Sequence, residues 1–303
     1  MVRGRRMRHA YLIIAHNNFP MLERQLRFLD SENADFFIHI DARVENFDFD
    51  HFRAVPKKSS VTFVKRQKIS WGHHSMIWVE LELLRAATAG KYDYYHLLSG
   101  VDAPLKTREY IEAYFERSPG TNYVHFQDEK ISVSYDGRAR FYYPFQRFNK
   151  RNFLPLILLR KLSTGTQLLL HMDRTRKYGA DWVFQKGGQW FSITHELAAY
   201  VLENEKLIRR MFFQSFCGDE VFLQTLVINS PHFRATVPPG YFGHDYKNSL
   251  RYIDWQRGEP YTFRDEDLEE LLHTGEDYLF ARKFDYKNAP TVVDALFEHY
   301  SYS

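Results

Sequence analysis

The first 126 residues alternate short apolar runs with helical patterns, and this alternation constrains the fold more than any other feature of the chain. Apolar and aromatic runs occupy residues 10–15, 35–40, 61–64, 94–98 and 123–126, while helical spacing begins at Met21, covers 74–87 and begins again at Thr107. Strand then helix, repeated, predicts an open α/β sheet covered on both faces. In such sheets ligands bind outside the carboxyl ends of the strands. The segments just after the runs are His16-Asn17-Asn18, Asp41-Ala42-Arg43 and Ser99-Gly100-Val101-Asp102. All three are polar or acidic.

The pattern breaks after residue 126. From 138 to 177 there are ten Arg or Lys (138, 140, 147, 150, 151, 160, 161, 174, 176 and 177) against the single acid Asp173, with aromatics and leucines between them. Such a segment suits either an anionic lipid surface or a charged acceptor, and equally a solvated excursion with some helix. Order resumes at Trp182-Val183-Phe184 and Gln189-Trp190-Phe191-Ser192-Ile193, followed by a helix over 194–202 whose Thr194 and Glu196 suit a helix start. There is no internal repeat. The reading is one domain over 8–303 carrying an insertion at about 128–180.

At 303 residues and 44% hydrophobic content the chain can bury a substantial core. Its 17% aromatic content suits sites that stack on nucleobases or sugars, although aromatics fill cores as well. A single cysteine, Cys217, excludes an intramolecular disulfide and a zinc constellation, and points to a reducing compartment. No apolar stretch approaches the ~18 residues of a membrane span. The expectation is a cytoplasmic protein, with peripheral contact at the inner face of the plasma membrane through the basic segment. A net charge of +3 argues against nucleic acid as a partner.

Two later segments carry chemistry. The run Ser215-Phe216-Cys217-Gly218-Asp219-Glu220-Val221-Phe222 offers a carboxylate, and Leu279-Phe280-Ala281-Arg282-Lys283-Phe284-Asp285 offers two cations between phenylalanines. An acidic pair before an apolar run is ordinarily a helix start. Buried adjacent cations, however, are costly without an anion. A diphosphate would be such an anion: a guanidinium forks across its oxygens and an ammonium adds a compact charge. Together a base and a cationic clamp suffice for sugar transfer from a nucleotide donor without a metal, with Arg251 as a further cation. The pairs Asp48-Phe49-Asp50 and Asp265-Glu266-Asp267 resemble metal-binding acidic pairs, yet the first lies in an acidic turn and the second opens a helix, so both read as local structure.

Seven motifs occur in an order that resembles the core-2/I-branching family, glycosyltransferase family 14, which holds β-1,6-N-acetylglucosaminyltransferases and peptide O-xylosyltransferases. They are Tyr11-Leu12-Ile13-Ile14-Ala15-His16, Phe37-Ile38-His39-Ile40-Asp41, Ser70-Trp71-Gly72-His73-His74-Ser75, His96-Leu97-Leu98-Ser99-Gly100-Val101-Asp102-Ala103-Pro104-Leu105, Gly188-Gln189-Trp190-Phe191, Gly218-Asp219-Glu220 and Phe280-Ala281-Arg282-Lys283-Phe284. The resemblance runs from about Tyr11 to Asp285. It implies a GT-A-like fold with a central mixed, mostly parallel sheet, a UDP-sugar donor, inversion at the anomeric carbon and no required metal or other cofactor.

Carried onto this chain, the resemblance implies Glu220 as catalytic base. Arg282 and Lys283 fall at the donor diphosphate, Asp41 at the uridine and Asp102 near the donor sugar, with Ala15, His16, Trp71, Gly72, Ser99 and Arg251 completing the donor side. Trp190, Asp219 and Trp255 fall on the sugar and acceptor side. Gly218 stands where family members often carry proline. Lacking the membrane anchor and the many cysteines of the animal enzymes, the chain looks like a bacterial member. The function expected is transfer of N-acetylglucosamine to a saccharide or lipid-linked saccharide in cell-surface glycan synthesis. UDP-xylose or UDP-galactose as donor, or an inactive carbohydrate-binding protein on the same fold, are the alternatives. A dinucleotide-binding oxidoreductase fails because His16-Asn17-Asn18-Phe19-Pro20 stands where a glycine-rich turn is needed.

Overall fold

A computed structural model describes residues 6–127, 137–148, 154–179, 182–238 and 246–302. Its centre is strand β1 (His9–Ala15), buried at all seven positions. On one side of β1 lie β2 (Ala34–Ile40) and β3 (Val61–Phe63), on the other β4 (Tyr94–Ser99), all parallel. Parallel strands covered on both faces bury every side chain, so these segments read as continuous apolar runs rather than alternating ones.

Parity along the strand assigns each side chain to a layer. Tyr11, Ile13 and Ala15 pack with the helices Phe19–Phe28, Arg108–Arg117 and Pro290–Tyr302, while Ala10, Leu12 and Ile14 pack with Ser75–Thr88, His195–Glu203 and Phe222–Ile228.

Two further strands, β6 (Tyr123–Phe126) and β7 (Gly187–Thr194), complete a six-stranded sheet of order β3-β2-β1-β4-β7-β6, with β7 antiparallel to both neighbours. This is the mixed, mostly parallel sheet that the family resemblance implies, built on the open α/β arrangement that the alternation predicts. The order reverses between β1 and β4, and the crevice at such a reversal is where ligands bind. A second sheet of β5 (Ala103–Pro104), β9 (Phe280–Arg282) and β8 (Arg251–Ile253) lies against that crevice, with β9 in the middle. Residues 182–186 form no strand; Val183 and Gln185 donate their N–H groups to Asn229 Oδ1 at 3.0 Å and Thr225 Oγ1 at 3.2 Å.

The basic segment is helical where described: Gly137–Arg140, a 3-10 turn at Gln146–Phe148, Leu154–Leu169 and a 3-10 turn at Arg176–Tyr178. Its cations divide. Arg174 is buried, donating to Ala139 O and to Phe213 O at 2.5 Å, whereas Arg147, Lys161, Arg176 and Lys177 are exposed. Lys150 and Arg151 lie outside the described residues.

Candidate active site

Glu220 ends the 3-10 turn Gly218–Glu220, directly ahead of the helix Phe222–Ile228. The turn is tight: Cys217 enters it at φ 46°, and a Cβ on Gly218 would run into Ser215 Oγ and sit 3.0 Å from Ile77. Proline there would have to displace Ser215, so glycine fits this chain. The Glu220 carboxylate lies 2.5 Å from Arg138 Nη1, both side chains being about a quarter to a third exposed. Burial opposes the charge on Arg138, but the charge of Glu220 and the hydrogen bond to it outweigh that and raise its pKa. Arg138 also covers the ring of Phe216 at 5.8 Å.

Behind this pair sit two carboxyls with different surroundings. Asp219 Oδ1 is buried with no partner among the described residues, and burial followed by the charge of Glu220 pushes its carboxyl up to about 7. Glu80, from the helix Ser75–Thr88, is fully buried and accepts a hydrogen bond from Gln189 Nε2 at 2.8 Å. Burial and the charge of Asp219 push it well above the usual carboxylate range.

Arg282 closes β9. Its guanidinium lies 3.8 Å over the ring of Trp190, and its Nε is 3.9 Å from Asp102 Oδ1. Asp102 is itself fixed, accepting from Ser99 N at 2.9 Å and Ser99 Oγ at 2.5 Å. Burial pulls the Arg282 pKa below its ordinary value, with Asp102 opposing. Tyr246 stacks on His125 at 4.0 Å and faces Trp255 at 6.0 Å. Burial and then the Glu220 charge push its hydroxyl up to about 12, while Arg138 and Arg282 act against that shift. Lys283 follows Arg282 through a cis peptide bond, and its carbonyl accepts from Phe263 N at 2.9 Å.

Arg251, expected on the donor side, lies deep between the two sheets. It is 1% exposed, and its guanidinium donates to Ser249 O, to Ser192 Oγ and Leu97 O at 3.1 Å and to Phe191 O at 2.9 Å. These bonds tie the small sheet to β4 and β7, and its Nε is buried without a hydrogen-bond partner among the described residues; burial pulls its pKa down to about 9.

On the donor edge, Ala15 ends β1, and its carbonyl accepts from Asp41 N at 3.0 Å. His16 is exposed beside it. Asp41 holds Arg43 in a two-pronged pair, at 2.9 Å from Nε and 2.7 Å from Nη2, and accepts from Ile69 N at 2.9 Å. Burial opposes its charge, but those bonds prevail and hold the carboxyl down at about 2. Two residues beyond Ile69, Trp71 is 55% exposed and meets Phe216 edge-on at 5.7 Å. Gly72 has φ 70°, and a Cβ there would sit 2.9 Å from the Phe216 ring, so its bare backbone lets Phe216 pass. Phe216 thus meets both Trp71 and the Arg138 that holds Glu220.

Both acidic pairs are absorbed in local structure. Asp48 accepts from His51 N at 2.9 Å as a helix cap and Asp50 pairs with Arg53 at 2.9 Å. Asp265 accepts from Val292 N at 2.8 Å, and Asp267 from Arg264 N at 2.7 Å and Arg257 Nη1 at 2.6 Å.

Sequence reasoning did not single out Arg138, Glu80, Phe216, Tyr246 or His125 for the site. Arg138 had been counted only as one cation of the insertion. Phe216 lay within the Glu220 run, whereas nothing around Glu80 or Tyr246 in the chain marks them.

The sequence pattern of one known family, described as Core-2/I-Branching enzyme, matches residues 9–273. Xylosyltransferase 2 of Rattus norvegicus is 22% identical, over 98% of this chain and 34% of its own length. The Homo sapiens beta-1,3-galactosyl-O-glycosyl-glycoprotein beta-1,6-N-acetylglucosaminyltransferase is 23% identical, over 96% of this chain and 69% of its own. The chain thus spans about a third of the length of the xylosyltransferases it matches. Among solved structures, mouse xyloside xylosyltransferase 1 in its apo form aligns with 90% of this chain and 96% of its own, at a TM-score of 0.38 and 11% identity. With the match running from the first residue of β1 to just past the Asp265–Asp267 turn, this chain belongs to the Core-2/I-branching enzyme family.

Proposed function

We propose that this chain is an inverting, metal-independent glycosyltransferase that moves N-acetylglucosamine from a UDP donor to a hydroxyl of a saccharide acceptor. The observation that supports the reading most is the Arg282 guanidinium, which lies 3.8 Å over Trp190 with Nε and Nη1 buried and without a hydrogen-bond partner among the described residues, while Arg138 holds the Glu220 carboxylate at 2.5 Å. In this reading Glu220 accepts the acceptor's hydroxyl proton while the oxygen attacks the anomeric carbon. The bond to the donor phosphate breaks on the far side, and UDP leaves with the electron pair. A general base must lie within hydrogen-bond reach of the proton it takes. Arg282 and Lys283 stabilise the charge that develops on the diphosphate, the part a metal would otherwise play. Asp41 and Arg43 mark the uridine end, and Trp190 and Trp255 border the sugars.

The names of the xylosyltransferase relatives favour a second reading in which UDP-xylose is the donor. Release of UDP from UDP-N-acetylglucosamine and UDP-xylose by the purified chain separates the two. Glu220→Gln should lower that release by about 10²–10⁴ while UDP affinity stays within a few-fold. Activity should survive EDTA. Near-normal turnover in the variant sinks the assignment of the base, and restoration by Mn²⁺ after chelation sinks metal independence.

A further inference from the structure

Next to the Arg138–Glu220 pair, the helix Leu154–Leu169, residues 142–146 and Phe216 line a cavity of about 480 Å³ that opens to solvent. That volume falls within the roughly 300–1,000 Å³ of small-molecule sites. Its walls are mostly carbon, from Tyr142, Phe145, Leu168 and Phe216, with Arg160 and Lys161 also lining it. Phe216 joins it to the reactive centre, because the same ring lies under the Arg138 guanidinium that holds Glu220. Outside, the helix leaves Leu158, Leu162 and Leu169 more than half exposed, and the segment also exposes Arg147, Arg176 and Lys177.

A hydroxyl-rich sugar finds few partners against such walls, since burying polar groups without hydrogen bonds is costly. An aliphatic chain fits them, and the two lining cations suit an anionic group at its head. We infer that this cavity holds the aliphatic tail of an anionic amphiphilic acceptor, whose saccharide reaches Glu220 past Phe216. The inference rests on the glycosyl-transfer reading and adds to it the chemical class of the acceptor. The exposed leucines and cations outside match what a segment needs to collect such a molecule from an anionic lipid surface.

The test is calorimetric titration of the full chain with hexyl, octyl and decyl phosphate below their micelle-forming concentrations. Inorganic phosphate and decyl glucoside serve as the head-only and neutral-head arms. Saturable binding at one site is expected, tightening about fourfold for each added methylene. Decyl glucoside should bind several-fold more weakly than decyl phosphate, and inorganic phosphate not measurably.

Gly165 lines the cavity from within the helix, and a Cβ there would meet nothing within 4 Å. Gly165→Phe therefore fills the space, raises helix propensity and should weaken decyl phosphate at least tenfold with UDP affinity unchanged. Binding that never saturates, that ignores chain length or that survives Gly165→Phe overturns the inference, as does equal binding of inorganic phosphate. Failure here is separable from failure of the transfer reading, because the alkyl phosphates are read without turnover and Glu220→Gln is read without a tail.

Discussion

The guanidinium of Arg282 lies 3.8 Å over the ring of Trp190, with its Nε and Nη1 buried and lacking a hydrogen-bond partner among the described residues. The indole face holds the cation flat, and Asp102 at 3.9 Å supplies only a distant counter-charge. A buried guanidinium with unused donors is poised for an oxyanion. Arg282→Ala should weaken UDP by at least tenfold yet leave free uridine nearly unchanged, because uridine lacks the diphosphate. Trp190→Ala should lose roughly 0.5–2 kcal/mol of UDP affinity through the cation–π contact. Equal losses for UDP and uridine, measured by calorimetry, would contradict this placement.

The 2.5 Å contact between Arg138 and Glu220 joins residues 82 positions apart in the chain. It orients the proposed base, and misplacing a reacting group by about 1 Å can cost on the order of 10²-fold in rate. Arg138→Met should therefore lower kcat by about 10–100-fold with UDP affinity preserved. Arg138→Lys, which keeps the charge and loses the fork, should recover only part of it. A variant whose loss falls wholly on UDP affinity would move Arg138 to the donor site.

The pH dependence of stability follows from buried groups with opposed signs. Burial is the leading cause that brings His9, His39 and His73 down to about 4, His74 to about 3 and His96 well below its ordinary range. His9 and His96 share a 2.9 Å hydrogen bond inside the sheet, and His96 reaches Ser192 Oγ at 2.9 Å. The unfolded chain binds protons at these histidines first, so the stability they contribute is present above about pH 6.5 and is lost as pH falls toward 4. Glu80 and Asp219 act the other way, because their raised values favour the folded state at low pH and weaken it as pH rises from about 4 to 7. Five histidines against two carboxyls give a net loss of several kcal/mol between pH 7 and 5, readable from urea midpoints. Asp219→Asn should gain about 1–3 kcal/mol over the unsubstituted chain as pH rises from 4 to 7. A gain already present at pH 4 would show that packing, not charge, is responsible.

How much was legible depended on whether a segment's role is local. β1, β2 and β4 were readable because burial on both faces leaves an uninterrupted apolar run. Thr194 was readable as a helix start because its hydroxyl accepts from Leu197 N, three residues on. At Trp182-Val183-Phe184, where the sequence shows only that order resumes, the backbone is held by side chains of a distant helix and its C-cap, Val183 N by Asn229 and Gln185 N by Thr225, an arrangement no local pattern announces.

By itself the sequence determined the strand-helix alternation, the order of the family motifs and the nearness of Asp219 and Glu220. All of these are set by residues adjacent in the chain or at a fixed period. Only the tertiary structure decided what each arginine of the small sheet meets. Arg251 opens β8 and Arg282 closes β9, and each shares a three-residue strand of the same sheet with one aromatic residue, Tyr252 or Phe280. The register that pairs Ile253 with Arg282 and Arg251 with Phe280 sends Arg251 among the backbone carbonyls of β4 and β7, and Arg282 onto Trp190. Which way a strand residue points, and what waits there, depends on strands as far off in the chain as 60 residues for β7 and 154 for β4, and no local pattern encodes that meeting.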